Sequence, residues 1–174
     1  VPGLVYRSNR AVMSNAAASI EDLGTLDRPW TAFNPLLYQG GRVHGFVCRA
    51  LPVTQVLSSR GCPYQCTFCA GRKVLGAKVR LREPREFISE LEWLRGEYGI
   101  REFQIVDDNF TFHRGHAMEV CARMAERKIN MHWSLPNGVR ADCLDKQLLN
   151  TMKRAGCYYL SFGIEFGSVR MLEI

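Results

Sequence analysis

Three short runs rich in β-branched and aromatic residues recur at a fixed interval in the second half of the chain. "EFQIVDD" (102–108), "NMHWSL" (130–135) and "YYLSFGIE" (158–165) begin 28 residues apart, and a similar run, "VTQVLSS" (53–59), precedes them. Each has the character of a strand closed by turn residues. Between them the apolar spacing is helical. Phe87, Ile88, Leu91, Leu94 and Tyr98 follow Glu83–Pro84 and stop at Gly99. Ala117, Val120, Cys121 and Met124 form a second set, and Leu144, Leu148, Met152 and Ala155, closed by Gly156, form a third. An interval of that length holds one strand, one helix and two short loops, the βαβ unit of a parallel sheet. The sequence therefore predicts an α/β fold of four successive β/α units, either an open doubly wound sheet or part of a barrel.

Both architectures put their chemistry at the carboxyl ends of the strands. Past the first run lie Cys62, Cys66 and Cys69; past the second, Asp107, Asp108 and Asn109. Past the third lie Asn137 and Arg140, and Glu165 ends the fourth. Cysteines, carboxylates, an amide and a guanidinium thus collect on one rim, which reads as an active-site face. Residues 1–50 have no clear period and carry Pro2, Pro29, Pro35 and the pair Gly40–Gly41, so they read as a connector leading into the unit that starts at residue 51. The chain opens on Val1 and closes on "SVRMLEI", which has helical character; the expectation is a fragment of a longer protein. A barrel ending after four strands exposes a parallel edge, and the isolated fragment is expected to be poorly stable or inactive.

Three readings compete for "GCPYQCTFCAG" (61–71). A structural zinc site is closed by four ligands, commonly in paired knuckles. Here one tight group exists, and His44, His113, His116 and His132 are not at finger spacing from it. A disulfide framework is disfavoured by seven cysteines, an odd count, in a globular composition with 47% hydrophobic residues. No run approaches the roughly 20 apolar residues of a membrane span, no signal peptide is read, and the expected compartment is the cytoplasm. An iron–sulfur cluster fits better, since one loop must wrap it; three ligands leave one position open for substrate or cofactor, as an open position marks catalytic zinc. Cys48, Cys121, Cys143 and Cys157 are scattered and read as buried thiols.

The loop closely resembles the radical S-adenosylmethionine (SAM) superfamily, whose signature is Cys-x3-Cys-x2-Cys with an aromatic, here Phe68, before the last cysteine. "RGCPYQCTFC", "VDDNFTF", "NGVRAD" and "GIEFGS" resemble its cobalamin-dependent branch, and "VPGLVYR" and "IEDLGTLDRPW" resemble the connector from a cobalamin-binding domain. The resemblance implies the first four units of a six-unit partial β/α barrel. It implies a 4Fe–4S cluster on Cys62, Cys66 and Cys69, SAM on the fourth iron, and Phe68 against the adenine. The reduced cluster would pass an electron to the SAM sulfonium, generating a 5′-deoxyadenosyl radical that abstracts a substrate hydrogen, followed by methylation, ring closure or rearrangement. A flavodoxin or ferredoxin would supply the electron. One of Asp107 and Asp108 is expected on the SAM amino group, the adjacent one pointing away as strand neighbours do. Arg140 can pair with a carboxylate such as SAM's, or be a surface arginine. Glu165 reads as ligand-facing. Asn137 does so too, although Pro136–Asn137–Gly138 would equally make a turn. Phe166 stands where the family's fourth-strand motif carries Ser. No Asp-x-His-x-x-Gly cobalamin motif is present, so the implied cobalamin site belongs to a domain outside these residues.

The leading expectation is thus a radical SAM enzyme acting on a small metabolite. The runner-up is an RNA-modifying methylthiotransferase, with Arg72, Lys73, Lys78, Arg80, Arg82 and Arg85 meeting phosphates. Outside the superfamily, the rival is a non-catalytic zinc or iron–sulfur module.

Overall fold

The computed structural model of the chain describes residues 1–39, 42–43 and 46–172; His44 and the pair Gly40–Gly41 lie outside the described residues. Its centre is a four-stranded, all-parallel sheet of β1 (Val53–Val56), β2 (Glu102–Ile105), β3 (His132–Val139) and β4 (Cys157–Phe162), in the order β4-β3-β2-β1. The connecting helices are α1 (Pro84–Tyr98), α2 (Arg114–Glu126) and α3 (Lys146–Arg154). Four β/α units in sequential order agree with the partial barrel read from the sequence.

Each helix begins and ends where its residues dictate. Pro84 takes the first turn of α1 after an extended Glu83, and Gly99 stops it at φ +62°, donating its amide to the Leu94 carbonyl. The ring of His113 caps α2 by accepting from the amide of His116, and the Asp145 carboxylate caps α3 by accepting from Leu148 at 2.8 Å. Strand alternation sorts the two faces of the sheet. Val56, Phe103, Ile105, Trp133 and Leu135 join Phe87, Leu91, Leu94, Val120, Met124 and Leu148 in one core. Phe103 and Trp133 stack across the strands with centroids 6.1 Å apart.

The opposite face is polar and begins at a floor. Glu102, fully buried, accepts the amides of Arg49 and Ala50 at 2.7 and 2.8 Å and the hydroxyl of Tyr158 at 2.6 Å. The end of the connector therefore crosses the amino-terminal mouth of the strands and is held there by charge-assisted hydrogen bonds.

Further upstream the connector is more ordered than an aperiodic sequence predicts. Val5–Ser8 and Ala11–Ser14 pair as an antiparallel hairpin, and 3₁₀ turns at Leu23–Thr25, Pro29–Thr31 and Pro35–Tyr38 follow. Trp30 is buried and donates its indole N–H to Glu90 of α1, which also pairs with Arg82. Gln39 reaches the free edge of β1: its amide nitrogen donates to the Val53 carbonyl and its oxygen accepts from the Val53 amide, both at 2.8 Å. The first strand's outer edge is thereby partly covered, the usual remedy for an exposed edge.

Candidate functional site

Two carboxylates from the end of β2 fasten the start of the cysteine loop. β2 stops at Ile105, so Asp107 and Asp108 lie beyond the pleat and both turn toward β1, in place of the opposite orientations expected from a strand. Asp107 is 2% exposed. Its Oδ1 accepts the amide of Ser58 at 2.7 Å, and its Oδ2 accepts the hydroxyls of Ser58 and Ser59 at 2.6 and 2.7 Å. Burial raises its pKa, and these hydrogen bonds pull it back down. Asp108 is half-buried and accepts the amide of Gly61 through Oδ2 at 2.9 Å. Asp107 is thus committed to the serines, whereas Oδ1 of Asp108 has no hydrogen-bond partner among the described residues.

Gly61 opens the loop at φ +96°, and a β-carbon there would sit 2.3 Å from the carbonyl oxygen of Lys78, so only glycine fits. Cys62 follows, half-buried, its amide donating to the Gly76 carbonyl at 3.3 Å. Burial raises the Cys62 pKa, a hydrogen bond with the Tyr64 backbone pulls it partly back, and the charges of Asp108, Cys66 and Cys69 push it up again. Metal binding there has to displace that proton. Cys66 and Cys69 are exposed, and the Cys69 sulfur accepts the amide of Gly71 at 3.3 Å.

Among the described residues no three His, Cys, Asp or Glu side chains converge where a single metal ion could sit. A cubane asks for something different, because each thiolate takes its own iron and the sulfurs surround a volume. Three soft donors on one loop, one half-buried and two exposed, fit that demand, and the amide on the Cys69 sulfur is the kind of hydrogen bond that tunes such clusters. Phe68, beside them, is 63% exposed.

The third unit meets the loop through Tyr64. The Arg140 guanidinium carbon lies 4.1 Å from the centre of the Tyr64 ring, and Arg140 makes a two-pronged pair with Asp142 at 3.0 and 2.7 Å. Asp142 accordingly holds the Arg140 pKa above its ordinary value, where sequence reasoning left Arg140 open to a ligand carboxylate. The Tyr64 hydroxyl lies 3.4 Å from the Cys143 sulfur, which pushes its pKa up to about 12, and its ring meets Phe112 edge-on at 5.7 Å.

Asn137 donates to the carbonyls of Val106 and Asp107 at 2.8 and 3.3 Å, tying β3 to the end of β2. Pro136–Asn137–Gly138 is no turn: β3 runs through it, with a register irregularity against β4 and Gly138 at φ +91°. Glu165 is exposed and adopts φ +60°, uncommon for a residue with a side chain. It lies three residues past the end of β4, so it belongs to a loop and not to the strand.

Half of the basic run is engaged by partners within the chain. Lys78 pairs with Glu21, Arg80 donates to the carbonyls of Ile20 and Leu75, and Arg82 binds Glu90 and the Leu57 carbonyl. These cations fasten the connector and the cysteine loop to the barrel, which leaves the phosphate-binding reading without half of its charges. Sequence reasoning also missed Tyr64, Ser58 and Ser59. The aromatic inside "CPYQC" was a visible signal for the first; the serines carried none.

Comparison with known proteins identifies the family. Residues 56–174 match the profile of the Radical SAM superfamily, and the chain belongs to that family. It is 39% identical over 121 residues, 70% of its length, to cytidylyl-2-hydroxyethylphosphonate methyltransferase of Streptomyces wedmorensis. It is 28% identical over its whole length to anaerobic magnesium-protoporphyrin IX monomethyl ester cyclase of Cereibacter sphaeroides. The chain spans 22% and 28% of those two relatives. The radical S-adenosylmethionine methyltransferase TsrM of Kitasatospora setae, solved with tryptophan and a SAM analogue, shares the fold over 69% of this chain and 23% of its own, at TM-score 0.64 and 20% identity. A second TsrM structure, with cobalamin and a [4Fe-4S] cluster, overlaps 64% of this chain and 22% of its own, at TM-score 0.60 and 20% identity. No described helix is long and apolar enough to cross a membrane.

Proposed function

We infer that the chain is the first part of the catalytic barrel of a radical SAM enzyme of the cobalamin-dependent branch, which methylates or cyclises a small-molecule substrate. The observation that carries this reading is the rim loop of Cys62, Cys66 and Cys69, fastened by Asp108 from the neighbouring unit. The three cysteines would hold a 4Fe–4S cluster, with SAM on the remaining iron. When bound, cluster and SAM supply one-electron chemistry that protein side chains lack.

The chain's own residues bind and orient. Asp108 would direct its free oxygen to the SAM ammonium, a charge-assisted hydrogen bond. Phe68, exposed on the loop, would cover the adenine face, and Glu165 would face the ligand from the fourth unit. Asp107, Ser58 and Ser59 keep the rim from shifting as the site fills, and Glu102 closes the far mouth of the strands. The methyltransferase and cyclase relatives support methylation or ring closure; the cobalamin named for TsrM supports a cobalamin site elsewhere in the protein. An electron donor of the flavodoxin or ferredoxin class completes the cycle.

The test is turnover by the full-length protein, reconstituted with iron and sulfide under anaerobic conditions and reduced chemically. SAM should be consumed, with 5′-deoxyadenosine or S-adenosylhomocysteine appearing, and C66S should abolish both. SAM left intact by a protein carrying a full cubane would overturn the reading.

A further inference from the structure

Beyond its two glycine-bounded ends, the cysteine loop has one fixed point among the described residues. Residues 65–70 are all exposed, and the hydrogen bonds of Cys66 and Cys69 stay local: Cys69 donates to the Cys66 carbonyl, and Gly71 donates to the Cys69 sulfur. The last half-buried side chain before them is Tyr64, and its partners come from other units. Phe112, after β2, meets its ring edge; Arg140, after β3, lies 4.1 Å above its face; Cys143 meets its hydroxyl. Asp142 holds the guanidinium with two hydrogen bonds while its carbon sits over the Tyr64 ring. A planar guanidinium stacks on an aromatic face in a way an ammonium does not.

We propose that Tyr64 and Arg140 are positioning residues for the cluster. The cation–π pair clamps the middle of the cysteine loop to the third β/α unit and so fixes the placement of the Cys66 and Cys69 thiolates. The inference rests on the proposed cluster. Arg140, on this account, is withdrawn from the SAM carboxylate and acts on the cofactor only through Tyr64. The cost of losing such an outer partner of a metal site is about 10–100-fold in retention of the metal.

The experiment uses the full-length protein, reconstituted anaerobically, and follows the rate at which a chelator strips iron, the electron paramagnetic resonance linewidth of the reduced cluster, and SAM affinity. Y64L and R140A should each speed iron loss by about tenfold or more and broaden the signal. Y64F, which keeps the ring, should hold iron nearly as wild type does. R140K, which keeps charge without the plane, should not rescue, and Y64L/R140A should be no worse than either single variant. Arg140 is on the surface, and matching unfolding midpoints would exclude global destabilisation. Wild-type iron retention in both single variants would overturn the clamp. So would an R140A protein that keeps its cluster but loses SAM affinity, since Arg140 would then serve the ligand directly. Failure of the wild-type protein to take up a cubane is a separate outcome: it would sink the proposed function, and the clamp with it.

Discussion

Gln39 and Val53 exchange two hydrogen bonds, the side-chain amide of one standing in for a neighbouring strand against the backbone of the other. β1 is the edge of a parallel sheet, and in such a strand alternate residues turn their backbone groups outward. Val53 is one of these. Gln39 satisfies both of its groups.

Replacing Gln39 by Ala should therefore cost about 1–3 kcal/mol, two hydrogen bonds at roughly 0.5–1.5 kcal/mol each. The Q39E variant, whose carboxylate oxygen would face the Val53 carbonyl, should be destabilised at least as much as Q39A. Urea midpoints of the full-length protein, with a light-scattering check for edge-to-edge aggregation, measure this. An unchanged midpoint in Q39A would show that the connector does not stabilise β1 through this pair.

Gly61→Ala should damage the cysteine loop selectively. The new methyl would lie 2.3 Å from the Lys78 carbonyl oxygen at a backbone angle unsuited to side chains. Strain of this kind costs on the order of 1–3 kcal/mol before any clash. The loop must move to relieve it, taking the Gly61 amide off Asp108. Iron content after reconstitution should drop while far-ultraviolet circular dichroism stays native. Full iron content in G61A would contradict the placement of the loop against Lys78.

The repeating core was legible because its signal is periodic. Phe87, Ile88, Leu91 and Leu94 lie at helical spacing and are all buried, and Gly99 and Gly156 end their segments with positive φ as turn glycines do. The rim was legible for a topological reason: parallel units deliver whatever follows each strand to one end of the sheet. Side-chain direction was not legible there. Asp107 and Asp108 obey strand alternation only if the strand continues, and β2 ends two residues earlier. Pro136–Asn137–Gly138 has turn composition, yet a bulge uses the same residues. The connector was read as a linker because docking by single anchors such as Trp30 and Gln39 leaves no period to detect.

His116 gives the barrel a pH dependence that can be measured. Its ring is 5% exposed, with Nε2 3.4 Å from the hydroxyl of Ser58. Burial lowers its pKa, and the neighbouring His113 lowers it further. The folded value lies below the unfolded one, near 6.5, so the unfolded chain binds more protons as the pH drops. Stability tied to this group is present above about pH 6.5 and is lost as the pH falls through the folded value. Wild-type protein should lose stability on acidification relative to H116Q, read as the difference in their urea midpoints between about pH 8 and pH 5. A pH-independent difference would mean that His116 titrates normally in the fold.

The central claim is that Cys62, Cys66 and Cys69 hold a cubane whose remaining iron accepts SAM. Electron paramagnetic resonance of the reduced, anaerobically reconstituted full-length protein, with and without SAM, addresses it most directly. A 4Fe–4S signal whose g-values shift when SAM is added is expected, with no such signal in C62A, C66A or C69A. A cubane indifferent to SAM, or a protein that takes up zinc and no cubane, would contradict it.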